Sequence, residues 1–573
     1  MCGILVSFHS GDKTVDPDTF RSLLDTLSHR GPDDSGIWSD SGGQITLGHR
    51  RLSILDLSPL GHQPMHSHDG RWTIVYNGEI YNWQELRENL ESAGVSFRSH
   101  TDTEVLLEGI ALWGLEAILR KCVGMFALAV WDRVEHRLHI ARDRFGEKPL
   151  YYAWKNGAWW VTSELKALAK IPGYNWELDK EAIGLFLRYK YIPEPFSIYR
   201  EARKLLPGCF AELKSDGTID QRAYWKFSDV VEQGRTNPFS GTEEDAADEL
   251  ERQLKRAIQF QRVADVPVGA FLSGGIDSST VVALMQAQGG DPVRTFSIGF
   301  DESDYDESRY AAAVAQHLGT THTELRVTPA EAMAVIPELA SIYDEPFGDS
   351  SAIPTILVSR LTREQVTVAL SGDAGDELAG GYNRYHQLNE LWRQIESYPK
   401  WTRSCLSALY SVGRKTCSQL GCERVMQKFA WRERFAKSRS MQELYYNIVT
   451  QYCNLDSLLL DPPVAFPFPK VFPVDSLYHY GMACDTVEYL PGDILVKVDR
   501  AAMSCSLESR IPILDHRLAE WMWTLPESYK IDDRNTKKSF KGRAGQACPA
   551  IFDRETENGF WCSCGRMDPR TAA

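Results

Sequence analysis

The 573-residue chain lacks a cysteine framework: its twelve cysteines are scattered, and the close pair Cys562 and Cys564 has no second pair at ligand spacing. That excludes a disulfide-stapled secreted domain and a zinc ribbon, and the set reads as reduced thiols. No run of about 18 apolar residues occurs, and no basic segment precedes a cleavable apolar stretch, so a cytoplasmic chain without a membrane span is expected. An excess of positive charge is missing too. With 63 basic against 78 acidic residues and a net charge of -15, neither a nucleic acid nor an anionic membrane is expected as the main partner. There is no internal repeat and no low-complexity tract. What is present is an ordinary globular composition, 43% apolar and 25% charged, in a chain too long for one core. Two domains handling small metabolites are the expectation.

Up to about residue 225 the text is dominated by strand-like runs: "CGILVSF", "QITLGHRRLSIL", "RWTIVYNGEIYN", "GMFALAVWD", "RLHIARD" and "LYYAWKNGAWWVTSE", the last with a Lys-Asn-Gly hairpin signal. Two helical stretches, "WQELRENLESAG" and "TDTEVLLEGIALWGLEAILRKC", interrupt them, which predicts α+β layers. Residues 226–248 concentrate Gly, Pro, Ser and acids and read as a linker. Beyond it "VGAFLS", "VRTFSIGF", "TELRV" and "QVTVALS" alternate with helices, the pattern of a parallel sheet. From 385 to about 530 the text is mainly helical.

Two features carry chemistry. Removal of Met1 would leave Cys2 N-terminal, a thiol and a free amine on one carbon, so that a nucleophile brings its own base. Further on, "SGGIDSS" (Ser273–Ser279) joins a strand to a helix, and its small residues let backbone N–H groups cradle a phosphate at the helix N-terminus. It is not a Walker loop, since no Gly-Lys-Ser/Thr follows. "SIGFDESDYDE" and "SGDAGDELAGGY" end two other strands, and in an open α/β sheet such loops converge. Asp277 and Asp376 would then lie by the phosphates and could hold Mg²⁺.

"SGGIDSS" resembles the loop of ATP pyrophosphatases. Together with "MCGI", "HRGPDDSG", "GHRRLSILD", "YNGEIYN", "TDTEVLLE", "ARDRFGEKPLYY", "YDEPFGDSSAIPT", "SGDAGDELAGGY" and "VDRAAMSCSLESRIPILDH", in that order, it is similar to the glutamine-hydrolysing asparagine synthetases over nearly the whole chain. The resemblance implies an N-terminal-nucleophile glutaminase, an αββα sandwich, over 2–225, and an α/β synthetase domain with a parallel sheet and a helical C-terminal part over 249–573. Cys2 matches the nucleophile, Asn77 and Gly78 the oxyanion hole, and Arg51, Glu79 and Asp102 the glutamine-binding positions. Ser273, Gly274, Gly275, Asp277 and Ser278 match the pyrophosphate loop, and Leu272, Ile298, Ser371 and Gly372 the surroundings of the adenosine. Asp373 stands where many members have Glu, so the acceptor's orientation is left open. Lys497 and Arg500 are alternative candidates for the catalytic cation.

The implied reaction hydrolyses glutamine, passes ammonia to a second site and, with ATP and Mg²⁺, turns aspartate into asparagine; a homodimer is a further expectation. The rival is the same chemistry on another carboxylate, a sugar uronate or a natural-product precursor. Ammonia transfer to a sugar phosphate or phosphoribosyl centre would need a different second half. A third alternative is a decayed homologue, because "GFWCSCGRMDPRTAA" (Gly559–Ala573) departs from the family's continuation. One back-translation reads "GFGVPVGGWIRGP" after deletion of a single T, which marks the tail as a reading-frame accident.

Overall fold

The computed structural model describes residues 2–11, 15–300, 308–419, 422–452, 472–474, 476–531 and 536–538. The tail from Gly559 on, with its expected frame slip, lies outside the described residues.

The first half contains β1 (Gly3–His9), β2 (Asp34–Ser39), β3 (Ile45–Arg51), β4 (Met65–His66), β5 (Trp72–Ile80), β6 (Gly124–Asp132), β7 (Arg137–Arg142), β8 (Tyr151–Lys155), β9 (Ala158–Thr162), β10 (Ala202–Lys204), β11 (Cys209–Leu213) and β12 (Ile219–Ala223). They form two six-stranded sheets, ordered β10-β8-β9-β1-β3-β2 and β12-β11-β7-β6-β5-β4. Strand alternation decides the layers. Ile4, Val6 and Phe8 point between the sheets with Val75, Ala129 and Trp131, whereas Leu5 points outward to Phe20, Leu24, Leu165 and Leu168 of the covering helices. On the other sheet Ile74, Tyr76 and Phe126 face Leu86, Leu106 and Ile110. The result is the expected αββα sandwich. The Lys-Asn-Gly hairpin also forms, with Asn156 and Gly157 at φ of 55° and 78°, between β8 and β9. The long helical stretch is broken at Gly114, φ 82°, into Asp102–Trp113 and Leu115–Lys121.

The second half is built on β13 (Val268–Phe271), β14 (Arg294–Phe300), β15 (Thr321–Val327), β16 (Val368–Leu370) and β17 (Glu508–Arg510), all parallel and ordered β15-β14-β13-β16-β17. The order reverses between β13 and β16, so the crevice at their carboxyl ends is the natural place for a ligand. Four of these strands are those the sequence predicts, and β17 was hidden in a stretch read as helical. The segment expected as a linker holds the helix Phe227–Thr236. Phe227, Val230 and Val231 bury into the synthetase-side core, and Gly234 lies so close to Trp523 that a Cβ would sit 2.2 Å from its carbonyl oxygen. No helix among the described residues is long and apolar enough to cross a membrane.

Candidate active sites

Cys2 heads β1 and is 7% exposed. Its N–H donates to Asn77 Oδ1 at 2.7 Å, and Arg30 Nε donates to its carbonyl at 3.0 Å. Burial pushes the thiol pKa up, opposed by the Leu52 N–H and the charge of Arg51. Asn77 Nδ2 is buried and has no partner among the described residues, which leaves one amide donor beside Cys2. A second donor follows from the strand. Tyr76 and Ile80 send their N–H groups to Gln63 Oε1 at 2.7 Å and Asp102 Oδ2 at 2.9 Å, so by the two-residue alternation the Gly78 N–H faces the same side. A Cβ on Gly78 would stand 2.2 Å from Met125 O, so only glycine fits.

Thr101 caps the helix that begins at Asp102. This fixes the Asp102 carboxylate, which also accepts from Tyr76 Oη at 2.8 Å. Burial raises the Asp102 pKa. The Glu79 pKa lies well above the usual range, through burial first and the Asp102 charge second, with Arg510 opposing. Arg51 is held by the carbonyls of Ser58 (3.1 Å), Leu55 (3.2 Å) and Asp56 (2.5 Å). Cys2, Arg51, Gly78, Glu79 and Asp102 line one cleft. A thiol, two amide donors, two carboxylates and a guanidinium there suit a zwitterionic amino acid with a side-chain carbonyl.

The sequence reading missed one wall of this cleft. Glu508, from β17 of the other domain, lines it, and Arg510 Nη2 lies 3.3 Å from Glu79 Oε2. No local signal marks these residues, because their place depends on how the halves dock.

At the second site, β13 ends in Leu272 and turns through Ser273–Gly275 into the helix Ile276–Ala287, whose N-cap Gly275 supplies no side-chain cap. The first-turn N–H groups thus lack a capping side chain, the arrangement that receives anions. Ser273 Oγ and Ser278 Oγ are 3.0 Å apart, and the Gly275 N–H donates to Ser273 Oγ at 3.2 Å. Gly274 has φ 82° and backs onto Ala311, 2.7 Å from where a Cβ would be. The loop after β16 meets this one directly: a Cβ on Gly372 would lie 2.5 Å from Ser278 N, and one on Gly375 would lie 2.4 Å from Asp277 Cγ. Ser371 Oγ donates to Asp373, and Ala374, at φ 71°, occupies the left-handed region before the short helix Gly375–Ala379. Ile298 is on β14, the neighbour of β13.

Asp277 and Asp376 come together as expected, and Lys537 bridges them, 2.8 Å from Asp376 Oδ1 and bonded to Asp277 Oδ2. Burial pushes the Asp277 pKa up to about 6, against the attraction of Lys537, and Asp277 Oδ1 has no partner among the described residues. Lys537 is a cation that the sequence reading missed. The two earlier candidates separate. Lys497 Nζ donates to Asp349 Oδ2 at 2.8 Å and Ser351 Oγ at 3.1 Å, and its field reaches Asp373. Arg500 is instead buried at the domain interface, 2.8 Å from Glu164, 3.4 Å from Asp344 and 3.3 Å from Tyr151 Oη, so the phosphate-neutralising role considered for it does not fit its position. Beside Lys497, Asp493 is pushed up to about 7 by burial and Asp349, opposed by Lys497 and Arg384, and next to Asp376, Glu377 is pushed up to about 8 by burial and the Asp376 charge.

The interface is itself ionic. Arg30 Nη1 and Nη2 bind Asp499 at 2.8 and 3.1 Å while Nη1 also binds Glu164 at 2.8 Å, and Lys148 Nζ is 3.6 Å from Asp499. Asp499 is on the helix Leu495–Met503, which also carries Lys497.

Residues 1–225 match the family of glutamine amidotransferase domains and residues 249–558 that of asparagine synthases. The chain belongs to the glutamine-hydrolysing asparagine synthetase family. It is similar to glutamine-hydrolysing asparagine synthetase 1 of Bacillus subtilis, 32% identical over 98% of this chain and 87% of that protein. It is likewise similar to a putative glutamine-hydrolysing asparagine synthetase of Mycobacterium tuberculosis, 33% identical over 99% and 89%. More distant is amidase chry2 of Gibberella zeae, 26% identical over 93% and 82%. As a member of this family, the chain is an ATP-dependent, glutamine-hydrolysing amide ligase.

Proposed function

We propose that the enzyme makes asparagine from aspartate, glutamine and ATP, with Cys2 as the glutaminase nucleophile. Once Met1 is removed, the Cys2 amine takes the thiol proton, which burial otherwise keeps on sulfur, and the thiolate attacks the glutamine side-chain carbonyl. The Asn77 Nδ2 and Gly78 N–H donate to the developing oxyanion. The amine returns its proton to the leaving ammonia, and water then hydrolyses the thioester. Arg51 binds the α-carboxylate of glutamine, and Asp102 and Glu79 its α-ammonium.

At the second site the aspartate β-carboxylate attacks the α-phosphorus of ATP, pyrophosphate leaves, ammonia attacks the acyl-adenylate and AMP departs. Backbone donors of Gly274, Gly275 and Ser278 hold pyrophosphate; Leu272, Ile298, Ser371 and Gly372 border the adenosine. Asp373 orients the acceptor, and Lys497 and Lys537 offset the phosphate charge. The Asp277–Asp376 oxygen set, with Asp277 Oδ1 unpartnered, fits Mg²⁺, which would supply further positive charge to the phosphates when bound.

The observation that carries aspartate as acceptor is the mixed wall of Lys497, Arg384, Asp349 and Asp493, whose fields overlap at Asp493. Charges of both signs suit an α-amino acid better than a sugar uronate. Pyrophosphate release measured with ammonia against aspartate and a panel of uronates tests it. Release with aspartate is expected; release with a uronate alone would overturn the acceptor and leave the ligase chemistry standing.

A further inference from the structure

The net charge of -15 hides one region of the opposite sign. The helices Lys400–Gln419 and Glu423–Lys437 form a hairpin: Tyr410 and Phe429 have ring centroids 6.3 Å apart, Gly413 rests on the Phe429 ring, and Arg414 Nε donates to Glu433 at 3.0 Å. From residue 400 to 437 the chain has nine Lys and Arg against two acids, Glu423 and Glu433. Glu433 is buried between Arg414 and Lys437, and the first helix contains no acidic residue at all.

The hairpin's outward side is apolar. Trp401, Leu409 and Val412 are 71%, 63% and 61% exposed, and Cys405 and Ala408 are exposed with them. At 100° per residue these five positions fall within a single arc of about 100°, which also holds the exposed Thr416, on the opposite side from Tyr410 and Arg414. Lys415 borders this arc on the same helix, and on the second helix and just beyond it Val425 is 46% exposed and Lys428, Arg432, Lys437 and Arg439 are exposed.

We propose that this hairpin docks the enzyme on an anionic lipid bilayer, lying in the headgroup plane with Trp401, Leu409 and Val412 inserted. A tryptophan and aliphatic ridge bordered by Lys415, on a hairpin rich in lysine and arginine, is the chemistry of an interfacial helix. Its positive charge is complementary to an anionic leaflet and opposite to that of the whole chain. A bilayer is favoured over an acidic protein because the apolar residues stand out along one exposed helix arc, and a bilayer takes a ridge without needing a matching groove. None of these residues belongs to either active site, so docking is independent of the acceptor assignment.

Co-sedimentation of the full-length enzyme with vesicles of phosphatidylcholine and phosphatidylglycerol, against phosphatidylcholine alone, tests the proposal. Binding to the anionic vesicles only, falling about tenfold or more between 0.1 and 1 M salt as the screening length contracts from about 10 to 3 Å, is expected. The triple variant Trp401→Ser, Leu409→Ser, Val412→Ser and the charge variant Lys415→Glu, Lys428→Glu, Arg432→Glu should each lose that binding. Both should keep ammonia-dependent pyrophosphate release, which shows that they fold. Equal binding to neutral vesicles, or no binding to either kind, overturns the proposal. So does capture by polyglutamate in place of vesicles, or a self-association of the free enzyme that the triple serine variant abolishes.

Discussion

The cleft around Cys2 and the loops around Asp277 both hold carboxylates that burial makes reluctant to ionise, but they differ in what answers the missing charge. In the first, Glu79 and Asp102 are raised, and the cations at hand, Arg51 and Arg510, are fixed by backbone carbonyls and neighbouring carboxylates. The Asn77 amide and the Gly78 N–H are already in place on a strand. In the second, Asp277 is raised to about 6, Asp493 to about 7 and Glu377 to about 8; buried lysines answer two of them, Lys537 at Asp277 and Lys497 at Asp493, while Glu377 accepts from Tyr382 Oη at 2.6 Å. Acyl transfer needs fixed dipoles where one negative charge develops. Phosphoryl chemistry brings several charges with the substrate, and a site for it is incomplete until they arrive.

The sharpest break between the two sites is Cys2→Ala. Glutamine-dependent product should fall by about 10³-fold or more while ammonia-dependent product stays within about twofold; an equal loss of both would refute separate sites. An N-terminal tag that blocks Met1 removal should act like the substitution. Next, Asp277→Asn should lower pyrophosphate release by about 10²- to 10³-fold and leave glutaminase activity within about twofold; wild-type-like release would remove Asp277 from the phosphate site. Smaller is the response to acid. A carboxylate raised to about 6 is ionised at pH 7 and mostly protonated at pH 5, so the apparent affinity for Mg²⁺ should drop about tenfold over that interval. Glutaminase activity should instead climb from pH 6 to 8, because the Cys2 amine, with an ordinary α-amine pKa of about 8, must be free to take the thiol proton; coincident profiles would erase the contrast. Smallest is Glu508→Gln, which removes a charge from the far wall of the Cys2 cleft. The glutamine KM should rise several-fold, by about 1 kcal/mol of binding, with the ammonia-dependent rate unchanged.

The sheets were legible because their signals are local. The alternation of Ile4, Val6 and Phe8 against Leu5, and the Asn156-Gly157 turn, can be read one strand at a time. The Ser273–Ser279 strand-to-helix turn was legible for the same reason: its small residues and its helix are contiguous. The helix Phe227–Thr236 was taken for a linker because Gly, Pro, Ser and acids dominate its surroundings. Yet Phe227, Val230, Val231 and Gly234 repeat at helical spacing and form its buried face. β17 is three residues long and has no pattern of its own. Lys537 lies 260 residues from Asp277 in sequence, brought there by the tertiary fold of the second half, and Arg500 in isolation looks as suitable for a phosphate as Lys497; only docking of the halves places it against Glu164 and Tyr151.

The salt bridges through Arg30 bear on modularity. A glutaminase domain that ends near residue 225 invites excision and grafting onto other synthetases. Cut there, Arg30 would lose Asp499 and keep, among the described residues, Glu164 as its one carboxylate partner, while it still grips the Cys2 carbonyl. Breaking a buried ion pair by removing one partner costs about 3–5 kcal/mol. Glu79 would at the same stroke lose Arg510, and the cleft its Glu508 wall. The isolated half would thus fold with its nucleophile held by an under-compensated cation and with one side of its substrate pocket open to water. A graft that keeps the sandwich but changes the partner must also carry over Asp499, Glu508 and Arg510, so the transferable unit is larger than the domain.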